Sequence, residues 1–433
     1  MKSQKLTTWI VAGMVLGVVV GYYCHARWPD PAEAKEVAGY FSIITDVFLR
    51  LIKMIIAPLV FAGLVSGIAS MDDHRQVGRI GLRALGWFVC ASLVSLLLGM
   101  VLANMLQLGQ SLNLTLPEAG AATNIDVSGF SLKNFLVHLV PTSFFDAMSK
   151  NEILQILLFS LFFGFAISSM KLGKQSIIVR GVDELFKLML RVTDYVMWAA
   201  PFGVFAAIAS VVTTQGLGVI VTYSKLIGAF YAGLMLLWAL LISVGILFVG
   251  RSILRLMGMI REPMIIAFST ASSEAAYPKT LEQLERFGVS KKISGFVLPL
   301  GYSFNLDGSM MYQSFAVLFI AQAYGIHLTF AHQVMMLLMM MLMSKGMAGV
   351  PRASLVVVAA ALPMLGLPME GLLLVMGVDQ FFDMGRTATN VVGNSIASVV
   401  VAKWEGALSD GPEPEVVEEG EPVLVEAKAG EAA

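Results

Sequence analysis

The stretch DQFFDMGRTATNVVGN, residues 379–394, places two carboxylates, an arginine and two asparagines in an otherwise apolar segment. An α-helix brings residues three or four positions apart onto one face, so these polar side chains form a single stripe. An unpaired charge in the middle of a bilayer costs about 2.5–3.5 kcal/mol even on the mildest scale. We therefore expect the stripe to face protein, water, ions or a bound molecule. Its members are Asp379, Asp383, Arg386, Asn390 and Asn394.

The whole chain has the composition of an integral membrane protein. Its 433 residues are 57% hydrophobic and only 14% charged, whereas soluble domains carry roughly 25% charged residues. The net charge is −1 and no basic arm stands out, which gives no indication of nucleic-acid binding. Cys24 and Cys90 have neither metal nor redox spacing. We therefore expect no cofactor, and no metal beyond a possible Na⁺.

Six apolar runs precede residue 251. A helix needs about 20 apolar residues to cross a bilayer, which predicts spans at about 7–24, 42–70, 82–107, 152–170, 183–213 and 220–250. Lysine and arginine concentrate in loops that fall on one side if these helices alternate, and the positive-inside rule then places the N-terminus in the cytoplasm. The tail from about residue 406 is acidic and rich in Pro and Gly. It is predicted to be disordered and cytoplasmic.

Beyond residue 262 the pattern becomes hairpin, helix, hairpin, helix. The segments PMIIAFSTASSEAAYP and HQVMMLLMMMLMSKGMAGVPRASLVVV each contain a short apolar arm, a turn rich in Ser or Gly, and a proline. If the six preceding helices cross the membrane in alternating directions from a cytoplasmic N-terminus, the first hairpin enters from the cytoplasm and the second from outside. Such an inverted repeat is typical of secondary transporters. We predict an all-α polytopic membrane protein with eight transmembrane helices and two re-entrant helical hairpins.

The polar stripe has the chemistry of a site for a zwitterionic acidic ligand. The guanidinium of Arg386 can bind a carboxylate through two hydrogen bonds, and Asp383, one turn away, can accept an ammonium. A second carboxylate of the ligand would suit the backbone N–H groups and hydroxyls of a hairpin tip, where Ser272 and Ser273 lie. The alternative is an internal Asp383–Arg386 ion pair that only locks the helix.

The stretch NLDGSMMYQ, residues 305–313, predicts a cation site. Asn305 and Asp307 lie within an apolar helix, and Gly308 beside them is expected to loosen the helix and free carbonyl groups. Partly unwound backbone next to a carboxylate suits a hard cation such as Na⁺, and the same carboxylate can carry a proton. The alternative is a kinked helix with a capped aspartate.

Together these segments resemble the dicarboxylate/amino acid:cation symporters, which include the excitatory glutamate transporters and their bacterial relatives. The resemblance covers about residues 8–405 and rests on RLIKMIIAPLVFAGLVSGIAS, the Ser-rich first hairpin, NLDGSMMYQ, AGVP and DMGRTATN. It implies a homotrimer in which a transport domain moves like an elevator against a scaffold. The scaffold would comprise 1–75 and 129–217, and the transport domain 76–128 and 218–405, followed by the tail at 406–433.

The resemblance also implies roles for individual side chains. Arg386 would bind the side-chain carboxylate of the substrate and Asp383 its amino group. Further substrate contacts would come from Thr387, Asn390, Ser272, Ser273, Ser309 and Gly349. The cation-site positions are Ser92, Asn305, Asp307, Asp379 and Asn394. An outer gate in the second hairpin would include Gly346, Ala348, Val350 and Pro351.

Departures from the family pattern bear on the coupling ion. Sodium-coupled members carry an aspartate where this chain has Asn394, and Asn-Met-Asp where it has NLD at 305–307. In the third helix, Phe88 and Ala91 stand at Tyr and Thr positions, while Ser92 is kept. Each change removes an oxygen, a sulfur or a charge from a sodium shell. The sequence therefore favours H⁺ over Na⁺.

Substrate choice is addressed by two motifs. SSEAAYP is similar to the bacterial C4-dicarboxylate carriers, but those tend to lack an acid at the position of Asp383. Because this chain keeps the acid, glutamate or aspartate is favoured over succinate, fumarate or malate. An intramembrane protease using Asp307 with Asp379 or Asp383 is disfavoured, since no GxGD-like or HExxH segment is present, and so is a passive channel. We predict a symporter, not an enzyme, in the cell inner membrane with both termini cytoplasmic.

Overall fold

The structure is a computed structural model that describes residues 2–69, 74–111, 116–117, 137, 139–170, 176–216, 223–344 and 353–409. In these ranges the only extended pairing is one isolated bridge between Val289 and Leu408. The helices are α1 (Lys2–Arg27), α2 (Pro31–Ala69), α3 (His74–Leu106), α4 (Leu108–Ser111), α5 (Phe144–Lys150), α6 (Ile153–Ser169), α7 (Ile177–Met197), α8 (Ala200–Gln215), α9 (Ser224–Val249), α10 (Ser252–Met259), α11 (Arg261–Thr270), α12 (Ser273–Phe287), α13 (Lys291–Phe304), α14 (Asp307–Ala323), α15 (Phe330–Met343), α16 (Ala353–Met364), α17 (Leu373–Met376) and α18 (Asp379–Trp404). A short 3₁₀ helix, Met369–Leu372, precedes α17.

Four described helices are long and apolar enough to cross a membrane: α1, α2, α3 and α9. The bent pair α7 and α8 gives a fifth such span if it is counted as one. The run predicted at 152–170 forms α6, which is apolar but has only 17 residues. The described residues therefore confirm an all-helical chain with the apolar helices of a membrane protein.

The run predicted at 183–213 is not one straight helix. α7 ends at Met197, α8 begins at Ala200, and the two meet at an angle of 53°. Pro201 lies in the first turn of α8. A proline lacks the N–H group of a helical hydrogen bond and its ring clashes with the carbonyl four residues earlier, so it begins a helix more readily than it continues one. The sequence interpretation overlooked this residue.

Small residues bring α1 against α8. Gly13, Gly17 and Gly21 are spaced by four, and a Cβ atom on each would lie 2.6, 2.6 and 2.8 Å from the carbonyl oxygens of Pro201, Phe205 and Ala209. Helices in membranes associate through such small-residue faces, because close backbone approach increases van der Waals contact.

The first predicted hairpin is formed by α11 and α12. Its tip is Ala271, which has a left-handed φ of 49°. Ser272 follows as the N-cap of α12, and its Oγ accepts a hydrogen bond from the Ala275 N–H at 3.3 Å. This cap satisfies one of the N–H groups that a helix start leaves without a partner.

The second predicted hairpin has α15 and α16 as its arms. The connection between them, 345–352, lies outside the described residues. The predicted gate residues Gly346, Ala348, Val350 and Pro351 lie there, and so does Gly349, a predicted substrate contact.

α18 occupies the centre of the molecule, where it packs against α9, α11, α12, α13 and α14. Its end is tied to α3, because Arg79 Nη2 and Arg83 Nη1 each lie 2.7 Å from a carboxylate oxygen of Glu405. The chain then turns back onto the start of α13, where the Ser290 N–H donates to the Ala407 carbonyl at 3.1 Å. The first residues of the predicted tail, 406–409, thus pack on the helical unit, and 410–433 lie outside the described residues.

Candidate functional site

Arg386 lies at the centre of the polar stripe on α18, with 1% of its surface exposed. Its Nη1 is 2.8 Å from Asp379 Oδ1, and its Nε is 2.9 Å from Asp383 Oδ1. Its Cζ lies 4.4 Å from the ring centroid of Tyr312 on α14, a cation–π contact. The Asp383–Arg386 pair, which the sequence left open as an alternative, is therefore present, and Asp379 joins it.

The two carboxylates differ in exposure. The Asp379 side chain is 1% exposed and lies in the first turn of α18, where the helix dipole favours a negative charge. The Asp383 side chain is 18% exposed. Asp379 and Arg386 thus form the enclosed pair, whereas Asp383 is the more accessible of the two carboxylates.

Thr387, Asn390 and Ser309 continue the stripe towards α14. Thr387 Oγ1 donates to Asp383 Oδ1 at 3.2 Å. The side-chain oxygen of Asn390, Oδ1, accepts a hydrogen bond from the Gly308 N–H at 2.9 Å. Its Nδ2 donates a hydrogen bond to Ser309 Oγ at 3.2 Å. The Asn390 amide therefore holds the start of α14 against α18, a role that the sequence did not indicate.

The tip of the first hairpin lies at the level of Asp383. Ala271 packs in an apolar cluster with Phe381 and Met384, which lie two positions before and one position after this aspartate on α18. Ser272 and Ser273 follow Ala271 directly, at the N-terminus of α12. Backbone N–H groups at a helix start attract anions, so the structure brings an anion-favouring end close to the stripe.

Asn305 and Asp307 lie at a break between two helices. α13 ends at Phe304 and α14 begins at Asp307, and both polar side chains are fully buried. Asn305 Nδ2 donates to Asp307 Oδ2 at 3.1 Å, and Ser95 Oγ on α3 lies 3.5 Å from Asp307 Oδ1. Ser92, one turn before Ser95, is buried on the same helix.

The break does not fall at Gly308, as the sequence interpretation expected. It falls at Asn305 and Leu306, while Gly308 lies in the first turn of α14. A Cβ atom at Gly308 would overlap the Arg386 carbonyl oxygen and lie 2.8 Å from Thr389 Cβ. The missing side chain therefore permits close packing of α14 on α18 and does not unwind the helix.

Two buried amides face this break. Within the described residues, Asn305 Oδ1 and both polar atoms of Asn394 have no hydrogen-bond partner. Such groups are costly to bury, and a small cation would satisfy the oxygens. A Cβ atom at Gly393 would overlap Asp307 Oδ2, and one at Gly301 on α13 would overlap Asn394 Oδ1, so both side chains lie between α18 and the broken helix. In the part of the chain that the structure describes, no cluster of three His, Cys, Asp or Glu side chains is placed to hold a metal ion.

Asp379 is separate from this group. Gly393 lies fourteen positions further along the chain, which at 1.5 Å per residue is about 21 Å along α18. The structure therefore brings Asp379 to Arg386 and not to Asn305, Asp307 and Asn394.

A comparison with known protein families shows which family the chain belongs to. The model of the sodium:dicarboxylate symporter family matches residues 6–404, almost the entire chain. The chain belongs to this family. The resemblance inferred from the sequence motifs is confirmed.

Several curated relatives of this symporter are about equally similar to it. The proton/sodium-glutamate symport protein of Bacillus subtilis (strain 168) is 38% identical, over 93% of this chain and 94% of the relative. The proton/glutamate-aspartate symporter of Escherichia coli (strain K12) is also 38% identical, over 94% of both chains. The C4-dicarboxylate transport protein of Cupriavidus necator is 38% identical, over 92% of this chain and 91% of the relative.

Two residues of α9 that were not singled out from the sequence form hydrogen bonds with α18. Tyr231 Oη on α9 donates to the Phe381 carbonyl at 2.7 Å, and Trp238 Nε1 donates to Thr389 Oγ1 at 2.8 Å. Tyr and Trp carry a polar group on an apolar ring and usually find a partner when buried. Their spacing of seven residues, two helical turns, was the available signal.

Proposed function

We propose that this symporter imports acidic amino acids, glutamate or aspartate, together with H⁺ or Na⁺. The observation that carries the proposal is the unequal exposure of the two carboxylates on Arg386. The side-chain carboxylate of the substrate would replace Asp383 on the guanidinium, while Asp379 keeps its contact. Asp383, released from Arg386, would then accept the substrate ammonium, and Thr387 would remain beside it. The tip of the first hairpin, with Ser272 and Ser273, would receive the main-chain carboxylate.

Charge explains why a co-transported cation is needed. Asp379, Asp383 and Arg386 together carry a net charge of −1, and a glutamate or aspartate anion adds another negative charge. Excess charge inside a membrane is costly, so at least one cation must travel with the substrate. The break at Asn305 and Asp307 supplies buried oxygens for such a cation or a carboxylate for a proton. Ser92 and Asn394 are proposed members of this site.

A C4-dicarboxylate is the second candidate substrate. Relatives named for glutamate and relatives named for C4-dicarboxylates are equally similar to this chain. A dicarboxylate has no ammonium for Asp383 and would bring a second full negative charge into the site. This physical argument favours the amino acids.

The proposed movement is of the elevator type, in a homotrimer in the inner membrane with eight spans per chain and both termini cytoplasmic. The transport unit would comprise 76–128 and 218–405, and the scaffold 1–75 and 129–217. Small residues let α2 and α13, one in each proposed unit, pack closely, since a Cβ atom at Gly295 would lie 3.0 Å from the Gly63 carbonyl oxygen. The second hairpin, with Gly349 and the residues from Gly346 to Pro351, is proposed as the outer gate.

Uptake into proteoliposomes, with pH and sodium gradients imposed separately, tests the proposal. We expect labelled glutamate and aspartate to accumulate against their gradients when one of the two ion gradients is present. Unlabelled succinate should compete more weakly than unlabelled aspartate, and equal competition would favour the dicarboxylate. Absence of gradient-driven accumulation of either amino acid would reject the proposal.

A further inference from the structure

A coupled proton needs a carboxyl group that moves with the substrate and can change its protonation state. Several carboxylates of the proposed transport unit lie close to a cation. Asp379 and Asp383 contact Arg386 at 2.8 and 2.9 Å. Glu405 lies 2.7 Å from two arginines, and Glu282 lies 2.6 Å from the ammonium of Lys279. Each of these carboxylates therefore has a cation within 2.9 Å. Asp307 is fully buried, whereas a coupled proton must enter from water and leave to water.

Glu274 is different in both position and partner. It directly follows Ser272 and Ser273 at the tip of the first hairpin, and its side chain is 26% exposed. Its cationic partner is Lys53, whose Nζ lies 4.0 Å from Glu274 Oε2 and whose side chain is 52% exposed. An ion pair at this separation with one exposed member is weak. The carboxylate is therefore not locked in its ionised form.

The pair joins the two proposed units. Lys53 lies on α2 of the scaffold, whereas Glu274 lies on α12 of the transport unit. The attraction between them, although weak, favours contact of the hairpin tip with α2 while Glu274 is ionised. A protonated Glu274 loses this attraction.

The other charges around Glu274 do not replace Lys53. Glu152, before α6, acts on it as a like charge, and the Tyr302 hydroxyl on α13 is a neutral neighbour. On α7, Asp194 lies 3.9 Å from Lys279, five residues further along α12. The charges of the remaining neighbouring helices are engaged with each other or lie at the far end of the hairpin: Asp379, Asp383 and Arg386 on α18, Arg255 on α10, and Arg261 and Glu262 on α11.

We infer that Glu274 carries the coupled proton, and that its protonation releases the hairpin tip from Lys53 so that substrate and proton move together. This inference rests on the proposed symport function. No bond other than O–H forms or breaks: a proton from one compartment binds a carboxylate oxygen of Glu274 and later leaves to the other. The proton also offsets the negative charge that an acidic substrate brings to the hairpin tip.

Glu274→Gln in the full chain, reconstituted in proteoliposomes, tests the inference. We expect accumulation driven by a pH gradient to fall at least tenfold. Exchange of external labelled for internal unlabelled glutamate should persist, because exchange needs no net proton movement. Glu282→Gln, on the same helix, is the matched control and should keep both activities. A Glu274→Gln variant that accumulates glutamate as wild type does would overturn the inference.

Lys53→Gln provides an independent measurement if the first variant is inactive in exchange. Without the ammonium, the carboxyl form of Glu274 persists to higher pH, so half-maximal uptake should move to a higher external pH by about half a unit or more. An unchanged pH profile would contradict the inference. Wild-type uptake that follows a sodium gradient and ignores pH would refute it but leave symport intact, whereas absence of any gradient-driven uptake would reject the proposed function itself.

Discussion

The guanidinium of Arg386 meets one enclosed and one accessible carboxylate, and this difference assigns separate roles to two similar residues. Asp379 orients the guanidinium from inside the helix bundle, and Tyr312 supports its face. Asp383 is more exposed, and we propose that a ligand carboxylate replaces it on the guanidinium. Substitutions at three positions of α18 can therefore test three proposed roles separately: binding of a carboxylate by Arg386, orientation of its guanidinium by Asp379, and binding of an ammonium by Asp383.

Replacing Arg386 by alanine should abolish high-affinity binding of acidic substrates. Loss of a two-bond charged contact of about 3 kcal/mol corresponds to more than a hundredfold weaker affinity. Arg386→Lys keeps the charge without the planar fork and should recover only part of the affinity. Calorimetric titration with glutamate measures the affinity of both variants. An unchanged dissociation constant in Arg386→Ala would contradict the proposal that Arg386 binds the substrate carboxylate.

Asp383→Asn should weaken glutamate binding at least tenfold while changing succinate binding less than threefold. The reason is that only the amino acid has an ammonium for this carboxylate to bind. Asp379→Asn serves as the comparison and should weaken both ligands to a similar degree, because it disturbs the guanidinium that both use. Competition assays with glutamate and succinate measure how much affinity each variant loses for each of the two ligands. Equal losses for glutamate and succinate in Asp383→Asn would exclude ammonium binding at this residue.

At the scale of the elements, α18 and the broken helix α13–α14 fit together without side chains at critical points. Gly308 lies against the Arg386 carbonyl, and Gly393 lies against the Asp307 carboxylate. Asn390 adds hydrogen bonds between the same two elements. The proposed substrate site around Arg386 and the proposed cation site around Asp307 are thus connected by the tight packing of α18 on the broken helix α13–α14.

Gly393→Ala adds only one methyl group but should strongly disturb the proposed cation site at Asn305, Asp307 and Asn394. Its Cβ would collide with Asp307 Oδ2, and overpacking of this kind typically costs about 1–3 kcal/mol. We expect a melting temperature in detergent that is several degrees lower and a strong loss of ion-driven uptake. Gly377→Ala is the matched control, since a Cβ there meets no atom of the described residues within 4 Å. Similar behaviour of the two variants would show that the packing at Gly393 has no special role.

At the scale of the whole molecule, much apolar surface faces outward on the proposed scaffold. Phe145, Phe162, Trp198 and Phe202 are all exposed. In a membrane such surface is covered by lipid or by further copies of the chain. We propose that three copies assemble.

Native mass spectrometry of the protein in mild detergent should give the mass of three 46.7-kDa chains. Cross-linking in intact membranes should give the same number, which controls for association during extraction. A single-chain mass under both conditions, with uptake retained, would contradict the trimer.

Several features of this symporter were predictable because helical periodicity is local. The stripe from Asp379 to Asn394, the Ser-rich hairpin tip and an interruption near NLDG all follow from residue spacing within one segment. The same reasoning failed at Pro201, where a proline in an apolar run was overlooked, and at Gly308, where a residue needed for packing was interpreted as the source of unwinding. A glycine within a segment does not show which neighbouring backbone approaches it.

The sequence alone determined that this chain is a helical membrane protein, that charges are buried in its last helix, and which family it resembles. The tertiary structure decided which groups meet: Asp379 with Arg386, Asn390 with the start of α14, and Lys53 with Glu274. Periodicity and hydropathy depend on neighbours along the chain and can be recognised in the letters. Partners on different helices are selected by how all the helices pack at once, and no single segment contains that information.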